Sequence, residues 1–452
     1  MRVRVLKFGG TSVATPESRI LAARKVIAVK ELGISPVVVV SAIGRKGSPY
    51  ATDTLLGLLR DVDPMILPDA REVDLMLCCG EIMSTCIFAQ TLKSLGHQAS
   101  AMTGGQAGLV TDTNHGDARI LYVKPDDVLR VLKSGRIPVV CGFQGRSDPQ
   151  PDAVYGEITT LGRGGSDTTA SALGAALGAE SVEIYTDVDG VKTSDPEMVP
   201  EAPTLRKMTY EEIAEIAHQG AKVVHPRAAE IAMKFGIPLW IKSTFSDEPG
   251  TEVVPKEAFP ERRVTGVTHT GKLVYLQFDT PFGADKAVLE AKVYELMADY
   301  EVNLFMLNSH PNSFGFAVPR KQLSKVQGIL DGLVVPMIQD ADPRTYIVQI
   351  GRRGSEEVQA QAKMLSKTNA FGNIRFVVAL LIENCTMVSV IAHEYLQQPG
   401  IYRRVLECLE RENIQPLQTS DSLYAMSILI SESDCARAVR AFHDEFELLQ
   451  AV

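Results

Sequence analysis

The chain has 452 residues, 45% hydrophobic and 22% charged, with a formal net charge of -9; that length exceeds one compact core and predicts about two to four domains. An acidic balance without any run of Lys and Arg excludes nucleic acid as a partner, because backbone phosphates are bound by clustered cations. The longest apolar stretch, 376–392, is interrupted by Glu383-Asn384, short of the roughly 20 uncharged residues of a membrane span. Charged residues and glycines within the first ten positions replace a signal peptide's apolar segment, so no membrane association and a cytoplasmic location are expected. Seven cysteines are scattered, with only Cys78-Cys79 adjacent, which shows neither a disulfide framework nor a CxxC pair. His115, His218, His225 and His393 stand singly, as structural or helix-end residues do, and no metal ligand is assigned.

A β-branched run at 3–8 leads directly into Lys7-Phe8-Gly9-Gly10-Thr11-Ser12. Glycines let backbone N–H groups approach a phosphate, and a lysine and a helix N-terminus add positive charge; a glycine pair in a βα turn also serves plain turn chemistry. Pro16 opens a helix running to about residue 32, with Gly33 as its stop. A near-continuously apolar strand follows at 36–42, then a long helix over 69–95 that ends at Gly96. Inside that helix Gly80-Glu81 offers a carboxylate that is either a solvated face or the partner of a ligand's ammonium group.

Strands are predicted next at 98–102 and 137–143. The second is again apolar throughout, as in a mostly parallel sheet covered on both faces. The second glycine-rich segment, Thr159 through Ala170, contains Gly162-Arg163-Gly164-Gly165-Ser166-Asp167 ahead of an alanine-rich helix. The arginine fork suits a carboxylate or phosphate, and Ser166 or Asp167 could cap the helix. A strand at 181–186 ends in Tyr185-Thr186-Asp187-Val188-Asp189-Gly190-Val191-Lys192, and a further strand is predicted at 238–242. Strand ends are where open α/β sheets bind ligands.

From about 245 to 264 the composition turns to Ser, Asp, Glu, Pro, Gly and Lys, which reads as a linker, 246–264, behind a first domain of 1–245. Beyond it a unit repeats. Strand 273–278, helix 284–300 and strands 302–307 and 314–318 are matched by strand 387–392, helix 399–412 and strands 414–419 and 423–429. Further helices begin near Arg320 and Ser433. Two βαββαβ-like units predict ferredoxin-like α+β domains at 265–335 and 385–452. The segment 336–384 between them, with strands at 346–350 and 375–381 and a helix at 355–365, is either an insertion or an elaborated regulatory layer.

Two anion-holding loops and an acidic strand end fit phosphoryl transfer to a small acid, yet no Walker sequence and no protein-kinase His-Arg-Asp or Asp-Phe-Gly set is present. Lys7-Phe8-Gly9-Gly10-Thr11-Ser12, Phe143-Gln144-Gly145, Thr160 through Asp167, Tyr185 through Val191 and Gly220-Ala221-Lys222-Val223 together resemble the aspartate kinase family, in that family's order.

The resemblance implies an amino-acid-kinase-type α/β domain, a mostly parallel sheet sandwiched by helices, followed by paired ACT regulatory domains. It implies ATP-dependent phosphorylation of the L-aspartate β-carboxylate, a first step toward lysine and diaminopimelate, threonine and methionine. Carried over residue by residue, Lys7 meets the phosphoryl group in transfer, and Phe8, Gly9 and Gly10 cradle ATP. Thr186, Asp187, Lys192, Lys222 and Val223 bind the nucleotide. Ser41, Thr52, Glu81, Arg163 and Asp167 bind aspartate, with Arg163 on the α-carboxylate, Glu81 on the α-ammonium and Asp167 orienting substrate at the centre. Mg²⁺ is expected to be held chiefly by ATP oxygens and water.

The resemblance also implies at most one amino-acid effector, lysine, threonine or diaminopimelate, near Gly400, Ile401, Gln418 and Thr419, or none with the ACT pair serving only to dimerise, and a homodimer or higher oligomer formed through that pair. Three departures accompany it, the first being the length of 336–384 between the two ACT-like units. Glu197 stands where the family pattern has arginine after Asp195-Pro196, and Pro281-Phe282-Gly283 breaks the proline-glycine pair kept in the second unit as Pro399-Gly400. Other readings are a catalytically weak sensor or partner subunit that binds amino acids through the ACT pair, and a kin enzyme acting on glutamate, carbamate or a nucleoside monophosphate.

Overall fold

The computed structural model describes all residues except 45–46, 64–65, 149–155, 221–223, 257–263, 281–282, 338–343, 353–373 and 451–452. It divides into two compact units, Met1–Pro196 with Pro200–Thr265 and Leu448–Val452, and Glu197–Val199 with Gly266–Glu447.

In chain order the first unit begins β1 (Val3–Phe8), α1 (Pro16–Glu31), β2 (Ser35–Val40), α2 (Thr52–Arg60), α3 (Ala70–Ser94) and β3 (Ala99–Met102). Next come β4 (Leu109–Thr111), β5 (Ile120–Val123), α4 (Asp126–Lys133), β6 (Ile137–Cys141), β7 (Gln144–Ser147), β8 (Ile158–Thr160) and α5 (Gly165–Leu177). It closes with β9 (Ser181–Thr186), β10 (Lys207–Thr209), α6 (Tyr210–His218), α7 (Pro226–Phe235), β11 (Leu239–Ser243) and β12 (Thr251–Val254).

An eight-stranded sheet takes the order β10-β12-β11-β9-β1-β2-β6-β3. β1 pairs parallel with β2 on one side and β9 on the other. The chain builds outward from β1 in one direction and returns on its other side, so β1 marks the switch point where doubly wound sheets open a crevice for ligands. Burial on both faces explains the valine run: Val37, Val38, Val39 and Val40 are all 0% exposed. Phe8 anchors the core, stacked on Phe88 at 5.6 Å and Tyr185 at 4.9 Å.

A smaller sheet, β5-β4-β7-β8, went unread in the sequence because its strands are only three or four residues long. Helix α1 starts where Pro16 predicts, with Thr15 and Ser18 exchanging side-chain and backbone hydrogen bonds as a capping box. Helix α3 is long and apolar enough by composition to cross a membrane, yet it carries buried Asp74 and Glu81 and packs against β3, β6 and β8. The linker expected at 246–264 is corrected in part. Thr251–Val254 is a strand of the main sheet, lying between β10 and β11, with Thr251, Val253 and Val254 buried.

The second unit begins β13 (Gly266–Asp279), α8 (Gly283–Asp299), β14 (Phe305–His310), β15 (Ser313–Pro319), α9 (Leu323–Leu330) and β16 (Val334–Met337). It continues β17 (Arg344–Arg352), β18 (Ile374–Ile391), α10 (Ile401–Arg411), β19 (Gln418–Asp421), β20 (Ala425–Ser431) and α11 (Cys435–Glu445). Its sheet runs β14-β15-β13-β18-β17-β16, with β20 also on β18 and β19 on β20. The two strands expected at 375–381 and 387–392 are one continuous β18. Residues 374–381 of it pair with β17 and 385–391 with β20, while β13 runs along 379–391. The described part of 336–384 therefore belongs to the second unit's sheet, with β17 between β18 and the edge strand β16. The helix expected at 355–365 lies outside the described residues.

Candidate active site

Strand β1 delivers Lys7 to the sheet's switch point, where Val39 and Ile184 are its neighbours on β2 and β9. Its ammonium meets Asp167 Oδ1 at 2.7 Å, with both side chains only about a tenth exposed, at 12% and 11%. Asp167 stands in the first turn of α5 and does not cap it; the N-cap is Gly164, in the left-handed conformation, with no side-chain bond. The capping role open to Ser166 and Asp167 is thus not taken. The backbone N–H of His225 donates to Asp167 Oδ2 at 3.3 Å, and the His225 side chain caps α7 by accepting from Arg227 N.

Beside the lysine, Gly9 N–H donates to Tyr185 O at 3.2 Å, which joins the glycine turn to the end of β9. Gly10 has no room for a side chain: a Cβ there would stand 2.5 Å from Gly44 O and 2.8 Å from Ala42 O. Below the turn, Ser12 accepts from Thr244 Oγ1 at 2.7 Å in a fully buried contact.

A cleft of about 500 Å³ brings together Lys7, Ser41, Thr52, Glu81, Arg163 and Asp167. Glu81, on α3, is 2% exposed. Its Oε1 accepts from Ala42 N–H at 3.1 Å, while Oε2 is buried with no hydrogen-bond partner. Burial pushes this carboxyl up to about 8, against the opposing backbone hydrogen bond from Ala42. Arg163 is exposed between Gly162 and Gly164, both at positive φ, and makes no ion pair among the described residues. An orphaned carboxylate oxygen and an unpaired guanidinium in one cleft match the two charged ends of an α-amino acid.

The nucleotide residues divide. The Phe8 ring is 0% exposed in the core, which leaves its backbone to face a ligand. Thr186 and Asp187 sit at the end of β9 and are hydrogen-bonded to each other at 3.1 Å. Lys192 donates to Ala202 O at 3.1 Å. Glu197 is exposed and clusters with the second unit. Lys222 and Val223 lie outside the described residues.

In the second unit, Gly400 holds φ +102 at the start of α10 with open space around it. Ile401 is 5% exposed as a core residue, so its side chain is withdrawn from the effector set. Gln418 Oε1 accepts from Asn308 Nδ2 at 2.8 Å, a nitrogen that also reaches the Tyr275 hydroxyl. Thr419 lies in β19, paired with Ile428.

Among the described residues no group of three or more His, Cys, Asp or Glu side chains is placed to hold a metal ion. Sequence reasoning missed Asp74, which lines the cleft fully buried. No local signal marks it, since its partners lie 41 to 86 residues away.

The sheet, the glycine turns and the paired charges define an α/β kinase of small amino acids, extended by an ACT-type unit. In agreement, the amino acid kinase family profile matches residues 2–243 and an ACT domain profile matches residues 388–446. Over 455 residues the chain is 36% identical to aspartokinase 1 of Bacillus subtilis (strain 168), covering 99% of this chain and 100% of that protein. It is 36% identical over 457 residues to the aspartokinase of Corynebacterium glutamicum, covering 99% and 97%. Crystal structures share the fold: E. coli aspartokinase III in complex with aspartate and ADP (R-state) has a TM-score of 0.69 at 21% identity, covering 98% of this chain and 99% of that one. Clostridium acetobutylicum aspartate kinase has a TM-score of 0.69 at 19% identity, covering 99% and 100%. The chain belongs to the aspartokinases, ATP:L-aspartate 4-phosphotransferases.

Proposed function

We propose that the cleft between β1, α3 and α5 holds aspartate and the ATP phosphates, with Lys7, Glu81, Arg163 and Asp167 as its working residues. The observation that carries this reading is Glu81 Oε2, buried without a partner in the same cleft as the unpaired Arg163 guanidinium. Glu81 takes the α-ammonium and Arg163 the α-carboxylate, leaving the β-carboxylate to face Lys7. Ser41 and Thr52 supply hydroxyls along the same wall.

The β-carboxylate is ionised at neutral pH, so no general base is needed. One of its oxygens forms a bond to the γ-phosphorus as the bond from that phosphorus to the β,γ-bridging oxygen breaks, and the electron pair leaves with ADP. Lys7 neutralises charge on the moving phosphoryl group, and Asp167 holds the ammonium in place. Gly9 and Gly10, lacking side chains, let the phosphates approach the turn, with Gly10 N–H as the donor because Gly9 N–H is taken by Tyr185 O, and Thr186, Asp187, Lys192, Lys222 and Val223 complete the nucleotide site. With both Asp167 oxygens engaged, by Lys7 and by His225 N–H, a hard cation in this cleft is left chiefly ATP oxygens and water as ligands. Mg²⁺ bound with ATP would supply charge neutralisation on the phosphates.

The experiment is an ADP-release assay in which aspartate, glutamate and Mg-ATP are varied, alone and with excess EDTA. Turnover with aspartate and Mg-ATP is expected. Arg163→Ala raises KM for aspartate more than for ATP, and an equal rise in both would overturn the assignment.

The ACT unit supports amino-acid regulation. One of the solved neighbours is E. coli aspartokinase III in complex with lysine and aspartate (T-state). The reading here is one effector, lysine, threonine or diaminopimelate, bound through the backbone at Gly400 and Ile401 and through Gln418 and Thr419, in a homodimer or higher oligomer formed by the ACT units. It includes supply of lysine, diaminopimelate, threonine and methionine, and a reducing cytoplasm, with which seven free cysteines agree. Activity titrated with each amino acid, alone and in pairs, tests the effector, and sedimentation tests the assembly.

A further inference from the structure

We infer that Asp74 and His115 are positioning residues for Arg163, fixing the guanidinium on which aspartate affinity depends; the inference rests on the reading of Arg163 given above. Asp74 lies two turns before Glu81 on α3 and is 0% exposed. Its acceptor capacity is fully used. Gly116 N–H donates at 3.1 Å to each oxygen, and Thr160 N–H donates at 2.9 Å. The Thr160 hydroxyl donates as well, and His115 Nδ1 lies 2.9 Å away. Asp74 therefore has nothing left to offer a substrate; it pins two loops to one point on the helix.

Those loops carry the arginine. Ala118 N–H donates to Thr160 O at 2.8 Å, so the 115–118 turn and the end of β8 are also joined to each other. Three residues past Thr160 the chain presents Arg163, between Gly162 at φ +71 and Gly164 at φ +74. A Cβ at Gly162 would meet Asp117 Oδ1 at 2.5 Å, which shows how closely the two loops are nested. Because Arg163 makes no ion pair among the described residues, its place is set by the backbone it projects from. A buried carboxylate holding several donors is rigid as long as all are satisfied. Arg227 holds the same strand end from another side, donating to Leu161 O at 3.2 Å, so loss of Asp74 loosens the loop without removing every anchor.

The test is steady-state kinetics with both substrates varied, on Asp74→Asn, Arg163→Ala and the double variant, with Tm recorded for each. Asparagine keeps the shape but turns one acceptor into a donor facing N–H groups. Asp74→Asn is expected to raise KM for aspartate about ten-fold or more and to leave KM for ATP within about two-fold. Added to Arg163→Ala, the same change should add less than about two-fold, as it must if it acts through that arginine. His115→Asn, which keeps a donor near Nδ1, should hold KM for aspartate within about three-fold, whereas His115→Leu should not. That pair reads the same loop should Asp74→Asn fail to fold. Parallel rises in both KM values, or full additivity with Arg163→Ala, would overturn the inference. If Arg163→Ala leaves KM for aspartate unchanged, the reading of Arg163 fails and the inference with it. If Arg163→Ala raises KM and neither Asp74→Asn nor His115→Leu does, the inference alone fails.

Discussion

Lys7 Nζ lies 2.7 Å from Asp167 Oδ1, which ties the end of the central strand β1 to the first turn of α5. The pair holds the ammonium at the sheet's switch point rather than letting it swing into solvent. A lysine so fixed is preorganised for charge that appears only during transfer. Lys7→Ala should therefore lower kcat about 10²-fold or more, by analogy with loss of one preorganised donor. Measured as ADP release at saturating substrates, a loss under ten-fold with unchanged Tm would remove Lys7 from the reaction.

Glu81 makes a prediction in pH. Its carboxyl is pushed from the ordinary 4.5 to about 8, mainly by burial. Below pH 8 the empty cleft thus holds a proton that a substrate ammonium bound at Glu81 as proposed must displace. KM for aspartate should fall about ten-fold per pH unit up to roughly pH 8 and then level off. Stability runs the opposite way: the folded state binds the proton more tightly than the unfolded chain, so this group's contribution declines as pH rises from 4.5 to about 8. Glu81→Gln should flatten the KM profile and raise KM at pH 8. A sloping profile that survives the substitution would assign the titration elsewhere.

Gly9 and Gly10 separate two uses of glycine. A Cβ on Gly10 would overlap two carbonyl oxygens, at 2.5 and 2.8 Å, whereas on Gly9 it would make ordinary contacts of 3.7 Å with Lys7 Nζ and 3.8 Å with Tyr185 O. Gly10→Ala should destabilise the protein by about 1–3 kcal/mol, as overpacking does. Gly9→Ala should leave Tm nearly unchanged and act on KM for ATP. Chemical denaturation of both variants checks the contrast, which equal stability losses would refute.

In the second unit, Phe278 is fully buried and stacked on Phe314 at 4.4 Å, with their planes 6° apart. Phe278→Ala should cost about 3–5 kcal/mol. A shift below 1 kcal/mol in the denaturation midpoint of that unit would mean the core collapses around the gap.

Much of the catalytic unit was legible because its information is local. Lys7-Phe8-Gly9-Gly10 sits on a strand-to-helix turn, and Gly162 through Asp167 on another, between β8 and α5, that lines the cleft. The small sheet of β4, β5, β7 and β8 was not legible, since strands of three or four residues carry no period long enough to read. The continuity of β18 was hidden by Glu383-Asn384, which the strand absorbs with Asn384 at positive φ and a shift of register against β13.

The sequence by itself determined the chemical kit: a lysine and two glycines behind the first strand, an arginine among glycines, and a carboxylate on a long helix. It also determined the parallel-sheet scaffold, because unbroken valine runs suit strands covered on both faces. Only the tertiary structure decided which groups meet and in what state. Glu81 is an ordinary glutamate until α3 and the end of β2 strip its water away, and Asp74 becomes an anchor only when a strand end 86 residues on folds against it. The physical reason is that desolvation and hydrogen-bond satisfaction belong to the three-dimensional surroundings, and no spacing along the chain encodes them.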